Sequence, residues 1–108
     1  DALYEKTIIS PSAHVVVCEN DQGQLVGMYL ATKKPAFFHT SLYIDAVVVD
    51  TRRRGEGIAS DWLVPHMKEL AFSLECQWLE LTASSPAAQR IYLEQGFDSP
   101  TKAFRLRI

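Results

Sequence analysis

The apolar run Ala46-Val47-Val48-Val49 passes through Asp50-Thr51 into Arg52-Arg53-Arg54-Gly55-Glu56-Gly57-Ile58-Ala59-Ser60. A strand that enters a glycine-rich turn and then a helix brings several unpaired backbone N–H groups to one point, and the positive end of the helix dipole adds to them. Gly55 and Gly57 lack a Cβ, so an anion's oxygen can approach the backbone, and Ala59 keeps the next position small. Arg52, Arg53 and Arg54 offer charge-assisted donors suited to phosphate. The stretch predicts a phosphate cradle, with a solvated basic turn as the plain alternative. Two familiar phosphate loops are excluded. No Gly-Lys-Ser/Thr ending is present, and Ser60 stands where the third glycine or alanine of a dinucleotide fingerprint belongs.

Residue patterning sets the elements around this turn. Residues 13–19 and 25–31 are rich in β-branched side chains, and Asn20-Asp21-Gln22-Gly23-Gln24 between them has the composition of a hairpin turn. A third strand over 41–49 is apolar on both sides of Asp45, as in a strand covered on both faces, and Lys33-Lys34-Pro35 belongs to the connection before it. Ile58, Trp62, Leu63, Met67, Leu70, Ala71 and Leu74 recur at helical spacing, so 58–74 is predicted as an amphipathic helix, with a bend or loosening at Pro65. Trp78-Leu79-Glu80-Leu81-Thr82 reads as a strand, and 86–95 as a helix capped by Ser84 or Ser85 and stopped by Gly96. The alternating 103–108 reads as a last, half-exposed strand. The order β-β-β-α-β-α-β predicts an α/β (α+β) domain over 1–108, a mixed, mostly antiparallel sheet flanked by helices. An initial antiparallel hairpin also does not suit a dinucleotide fold, which opens with βαβ.

Two motifs in this order resemble the GNAT superfamily of N-acetyltransferases. Its signature Arg/Gln-x-x-Gly-x-Gly/Ala reads here Arg54-Gly55-Glu56-Gly57-Ile58-Ala59, preceded by the apolar strand residues Val47 and Val49. Its second signature, a small-residue helix ending in Tyr-x-x-x-Gly-Phe, reads Ala87-Ala88-Gln89-Arg90-Ile91-Tyr92-Leu93-Glu94-Gln95-Gly96-Phe97. The resemblance covers about residues 13–108. It implies the GNAT fold, acetyl-CoA as co-substrate and no metal. The amides of Arg54, Gly55, Glu56, Gly57, Ile58 and Ala59 would hold the pyrophosphate, and the backbone of Val47 and Val49 would pair with the pantetheine arm. That arm would enter where the family sheet splays between its third and fourth strands here, leaving Arg52 and Arg53 toward the nucleotide end or solvent.

The implied reaction is direct attack of a primary amine on the thioester, with the acceptor a small molecule or a protein. Tyr92 matches the family tyrosine that protonates the leaving thiolate; the alternative is a core ring beside Phe97. Asp45 is the base candidate, because a carboxylate inside an apolar stretch is expected to be partly desolvated and to lie on the same strand face as Val47. A structural, hydrogen-bonded carboxylate is its alternative. Glu80 is a second choice for the base, and Tyr43 is either an acceptor-pocket ring or a core ring. His14, His39 and His66 have no partner spacing, Cys18 and Cys76 are expected to pack as small apolar side chains, and Trp62 and Trp78 are expected in the core.

Composition limits the remaining classes. A chain of 108 residues suits one core, and a formal net charge of −2 argues against a general nucleic-acid binder. No apolar run approaches the roughly 20 residues that span a bilayer, so no membrane partner is expected. Two cysteines make no disulfide framework and no metal-ligand spacing, which suits the cytoplasm. Family members usually carry a further strand and one or two helices before the first hairpin, and only residues 1–12 precede it here, so a short or missing N-terminal part is expected. That shortness leaves open a second class, a non-catalytic acyl-CoA-binding or dimerising module, in which the chain forms a homodimer.

Overall fold

The computed structural model describes residues 4–9, 13–35, 38–53, 57–83, 85–98 and 103–108. They form one six-stranded sheet whose spatial order follows the chain: β1 (Tyr4–Ile9), β2 (His14–Glu19), β3 (Leu25–Pro35), β4 (Thr40–Val49), β5 (Trp78–Thr82) and β6 (Ala103–Arg107). Neighbours are antiparallel except β4 and β5, which the intervening helix makes parallel. The mixed, mostly antiparallel architecture is the expected one, with a strand more than the pattern predicts. β1 is that strand, and its sequence YEKTII alternates too weakly to announce itself; its partner β2 makes it a strand. β3 also runs on to Pro35, so Lys33 and Lys34 belong to a strand rather than to the connection.

The hairpin between β2 and β3 forms where expected. The Asn20 side-chain oxygen accepts from the Gln22 and Gln24 amides, each at 3.0 Å, and its burial makes those bonds obligatory.

Ala31, Ile44, Leu81 and Phe104 make one row across β3 to β6, and all four are buried. Tyr29, two residues from Ala31, shares their face. Helix α1 (Val64–Ser73) seals this side with Val64, Met67 and Ala71, and helix α2 (Pro86–Glu94) adds Tyr92, whose ring lies 5.8 Å from that of Phe104. Burying each large side chain of this core contributes about 1.5–3 kcal/mol. Both helices therefore cover one face, and among the described residues no helix covers the other.

The open face corrects two expectations. β4 is not covered on both sides, since Ala46 is exposed and Val48 is 52% exposed. Trp78 is half-buried on that open face beside Arg105 and Arg107 rather than in the core. Trp62 is half-buried too, stacked on His66 with ring centroids 5.3 Å apart, and the His66 Nδ1 shares a 2.6 Å hydrogen bond with the Tyr29 hydroxyl.

The loosening expected at Pro65 takes a definite form. Ile58–Leu63 is a π-helical turn in which the Val64 N–H donates to the Ala59 carbonyl five residues back, and α-helix begins only at Val64. Proline has no N–H to donate and its ring crowds the carbonyl four residues earlier, so a wider turn relieves the clash.

Cys18 and Cys76 are buried free thiols. Burial pushes the Cys18 thiol up to about 11 and raises that of Cys76, against a smaller opposing effect of the Lys33 charge. Thiolate is the reactive form. Ellman's reagent at pH 8 is expected to leave both thiols largely unmodified in the native protein and to titrate both in guanidinium; prompt native reaction of either would contradict this packing.

Candidate active site

The parallel pairing of β4 with β5 runs only from Ser41–Trp78 to Ile44–Leu81. Beyond it β4 continues to Val49, and among the described residues its Asp45–Val49 part pairs with β3 alone. The two strands thus part above Ile44, and a cleft of about 670 Å³ occupies the gap. It is lined by Val47 and Val49 of β4, by Gly57, Ile58, Ala59 and Ser60 at the start of the helix, and by Ala88 and Tyr92 of α2. A slender, partly apolar chain fits between these small residues, beside a strand edge that still has backbone groups to offer.

Backbone chemistry at the helical end suits an anion. Gly57 stands before the helix with φ 78° and ψ 17°, in the left-handed region, and the first amides of the helix have no upstream carbonyl within it. Ile58 is buried, and Gly27 lets it pack close: a Cβ at Gly27 would lie 3.1 Å from the Ile58 Cγ2. Arg54, Gly55 and Glu56, the centre of the predicted cradle, lie outside the described residues. Of the flanking arginines, Arg53 lines the cleft, whereas Arg52 turns back to Asp50 in a 2.9 Å ion pair. The Arg52 guanidinium bonded to Asp50 holds that carboxyl below the usual carboxylate range.

Tyr92 reaches the cleft from α2. Ser85 caps that helix by accepting from the Ala88 amide at 3.1 Å, with Pro86 in the first turn, while Ser84 lies outside the described residues. Phe97, at 5.5 Å, and Phe104 hold the Tyr92 ring, and burial pushes its phenol above the ordinary tyrosine range. Packing beside Phe97 and lining the cleft are thus both true of one side chain. A neutral phenol fixed in an apolar wall can donate a proton.

Asp45 departs from expectation. Leu30 pairs with Ala46 and Ala31 with Ile44, so Asp45 is the extra residue of a β-bulge. The bulge reverses the facing of the later β4 residues: Val47 pairs with the buried Tyr29 on the helix side, while Asp45 turns to the open face. There its carboxylate is exposed and accepts from the Thr32 hydroxyl at 2.6 Å. It is neither desolvated nor on the face of Val47. Tyr43 lies on the same open face under Lys34, and Glu80 pairs with it across β4 and β5, half-buried. The site is therefore two-sided, with the cleft and Tyr92 on the helix side and Asp45 across the sheet.

Ser60, Ser85, Ala87, Ala88 and Ile91 also line the cleft, although the motifs alone assign them no role there. Ala87, Ala88, Ile91 and Tyr92 fall at spacings of three and four, so one face of α2 carries them. That spacing was the available signal.

Comparison with known proteins agrees with this geometry. The profile of the acetyltransferase (GNAT) family matches residues 1–97. The fold is similar to that of the IAA acetyltransferase from Bacillus cereus ATCC 14579, with TM-score 0.83 and 14% identity over 99% of this chain and 100% of that one. It is also similar to spermidine N-acetyltransferase from Vibrio cholerae in complex with CoA and spermine, with TM-score 0.76 and 17% identity over 90% of this chain and 66% of that one. A transcriptional regulator from Bacillus halodurans C-125 is 28% identical, with TM-score 0.78, over 85% of this chain and 63% of that one. The chain spans about two thirds of the length of the latter two proteins. No match was found among curated proteins. Among the described residues no group of His, Cys, Asp or Glu is arranged to hold a metal ion, and no helix is long and apolar enough to cross a membrane. Matched by the family profile over residues 1–97, with Gly57, Ile58 and Ala59 of one motif and Tyr92 of the other lining one cleft, the chain belongs to the acetyltransferase (GNAT) family.

Proposed function

We propose that this chain transfers the acetyl group of acetyl-CoA to a primary amine. The observation that carries the reading is the cleft at the parting of β4 and β5, glycine and helix amides at one end and Tyr92 in its wall. The co-substrate supplies an activated thioester. The backbone of Val47 and Val49 lies along its pantetheine arm, and the amides from Arg54 to Ala59 receive its pyrophosphate, with Arg53 adding charge. The amine approaches from the open face. As its nitrogen bonds to the carbonyl carbon the carbon–sulfur bond breaks; Tyr92 protonates the departing thiolate, and Asp45 takes the ammonium proton directly or through water. The Thr32 hydroxyl keeps that carboxylate at the bulge. Two buried free thiols accord with a reducing cytoplasm.

Calorimetry with acetyl-CoA tests the cleft, and a thiol-release screen of primary amines tests the transfer. Absence of binding by folded protein would overturn the reading.

One residue opposes the anion. A Cβ at Gly57 would strike the Asp61 carboxylate, so that carboxylate lies against Gly57, beside the helical end of the cleft. Removing its charge relieves repulsion with a pyrophosphate, partly screened at this exposed site. Asp61→Asn is expected to tighten acetyl-CoA binding roughly threefold to tenfold in low salt, with the gain shrinking as salt rises. Weaker binding in the variant would show that the carboxylate supports the cradle instead.

A further inference from the structure

The open face carries a second charged feature that the acetyl-transfer reading leaves unused. Lys34 places its Nζ 4.1 Å from the Tyr43 ring centroid, and Arg105 and Arg107 stand over Trp78 at 4.8 and 5.6 Å. The register puts all five on the face of Asp45, in adjoining rows: Lys34, Ser41, Trp78 and Arg107, then Thr32, Tyr43, Glu80 and Arg105. His39 adds an edge contact to Trp78 at 6.4 Å. Each arginine and Lys34 is exposed, and among the described residues none of the three is in an ion pair. Arg105 faces Glu80 across β5 and β6, yet its guanidinium goes to the indole. Stacking fixes a guanidinium's plane and leaves its N–H fork free for a carboxylate. Two guanidiniums on one indole at the β6 corner stand out in a chain of net charge −2, while Lys34 lies over Tyr43 on the β3 side.

Of the acidic groups on this face, Asp45 lies toward the reaction centre. Asp45 is at the bulge, two residues beyond Tyr43, whereas Glu80 sits between Tyr43 and Arg105 and the arginines close the row at β6. At strand spacings of about 4.8 Å and a rise of about 3.4 Å per residue, Asp45 and Arg105 are about 12 Å apart across the sheet. We propose that this corner binds a carboxylate of the acceptor, so that the substrate is an amine bearing a carboxylate about 10 Å from its nitrogen. The amine end meets Asp45, and the acid end meets Arg105 and Arg107 over Trp78. The assignment rests on the acetyl-transfer reading for the position of the amine, while the anion corner stands on its own geometry.

The test uses three tripeptide amides with free N-termini, Ala-Ala-Glu, Ala-Ala-Gln and Ala-Ala-Lys, in two readouts. In steady state with acetyl-CoA, kcat/KM is expected to favour the Glu over the Gln peptide by roughly tenfold, with the Lys peptide poorest, and in R105Q/R107Q that ratio is expected to fall toward one. Without acetyl-CoA, titration of the Glu peptide is expected to shift the Trp78 indole N–H resonance saturably, and the Gln peptide to shift it little. Turnover without discrimination, or a Glu-peptide titration that leaves Trp78 unmoved, overturns the anion corner. A Trp78 shift with no turnover of any peptide keeps an anion site but overturns its assignment to the acceptor, and the primary-amine screen then decides the transfer reading separately.

Discussion

Tyr92→Phe is expected to lower kcat about 100-fold while leaving the KM for acetyl-CoA within about twofold, since general-acid assistance contributes on the order of 10²–10⁴. The substitution keeps the ring, and with it the contacts to Phe97 and Phe104 that set the wall of the cleft. What it removes is the hydroxyl alone, so an effect confined to kcat separates proton donation from packing. Full turnover by the variant on a working amine would make Tyr92 a wall residue only.

The pH dependence supplies an independent sign. Burial raises the Tyr92 phenol, so the side chain is neutral and able to donate throughout the neutral range. Activity that depends on it is lost as pH rises through that raised value, and the alkaline limb of the wild-type kcat profile is expected above the ordinary tyrosine value of about 10. Stability moves the same way. A folded-state value above the unfolded one contributes stability that is fully present below about pH 10 and is lost as pH climbs through the folded value. The Phe variant is expected to lack the activity limb and only the Tyr92 part of the stability limb, since the raised Cys18 and Cys76 thiols keep theirs. An alkaline limb that persists unchanged in Tyr92→Phe would assign it to another group.

Much of this site is legible in the sequence because its parts are local. Gly57, Ala59 and the apolar spacing from Ile58 declare a turn and a helix through their own backbone preferences, and Pro65 declares a disturbance through its missing N–H. Ser85, Pro86 and Gly96 bound α2 for the same kind of reason. Non-local features escaped. β1 is a strand because β2 pairs with it, and nothing within Tyr4–Ile9 decides that. The bulge at Asp45 is invisible in an even alternation, yet one extra residue there moves Val47 to the helix side while Asp45, next to the inward-facing Ile44, stays on the open side. The expectation that Asp45 shares the face of Val47 failed for that reason, whereas the expectations of a desolvated Asp45 and of a β4 covered on both faces failed because both helices lie on one side of the sheet. Trp78 looked like core because it is large and apolar, but Arg105 and Arg107 from β6 cover it instead.

Gly57→Ala is the substitution expected to harm the cleft most for the smallest change in mass. At φ 78° an alanine sits in the left-handed region, which costs about 1–2 kcal/mol. Its methyl also meets the Asp61 carboxylate, which is exposed and can swing outward, so the added strain is modest. A loss of about 1–2 kcal/mol lowers Tm by roughly 4–16 °C in a domain of this size. The larger effect falls on binding. Gly57 lines the cleft, so an added methyl narrows the room beside the helix amides, and no rotamer removes it. Acetyl-CoA affinity is expected to fall at least tenfold by calorimetry at a temperature where the variant is fully folded, as judged by circular dichroism. Adding Asp61→Ala to Gly57→Ala separates the two causes: removing the carboxylate relieves the contact and restores part of the Tm, whereas the narrowed approach keeps binding well below that of Asp61→Ala alone. A fall in Tm with unchanged acetyl-CoA affinity would mean that Gly57 shapes only the turn, and that the pyrophosphate is held by other groups.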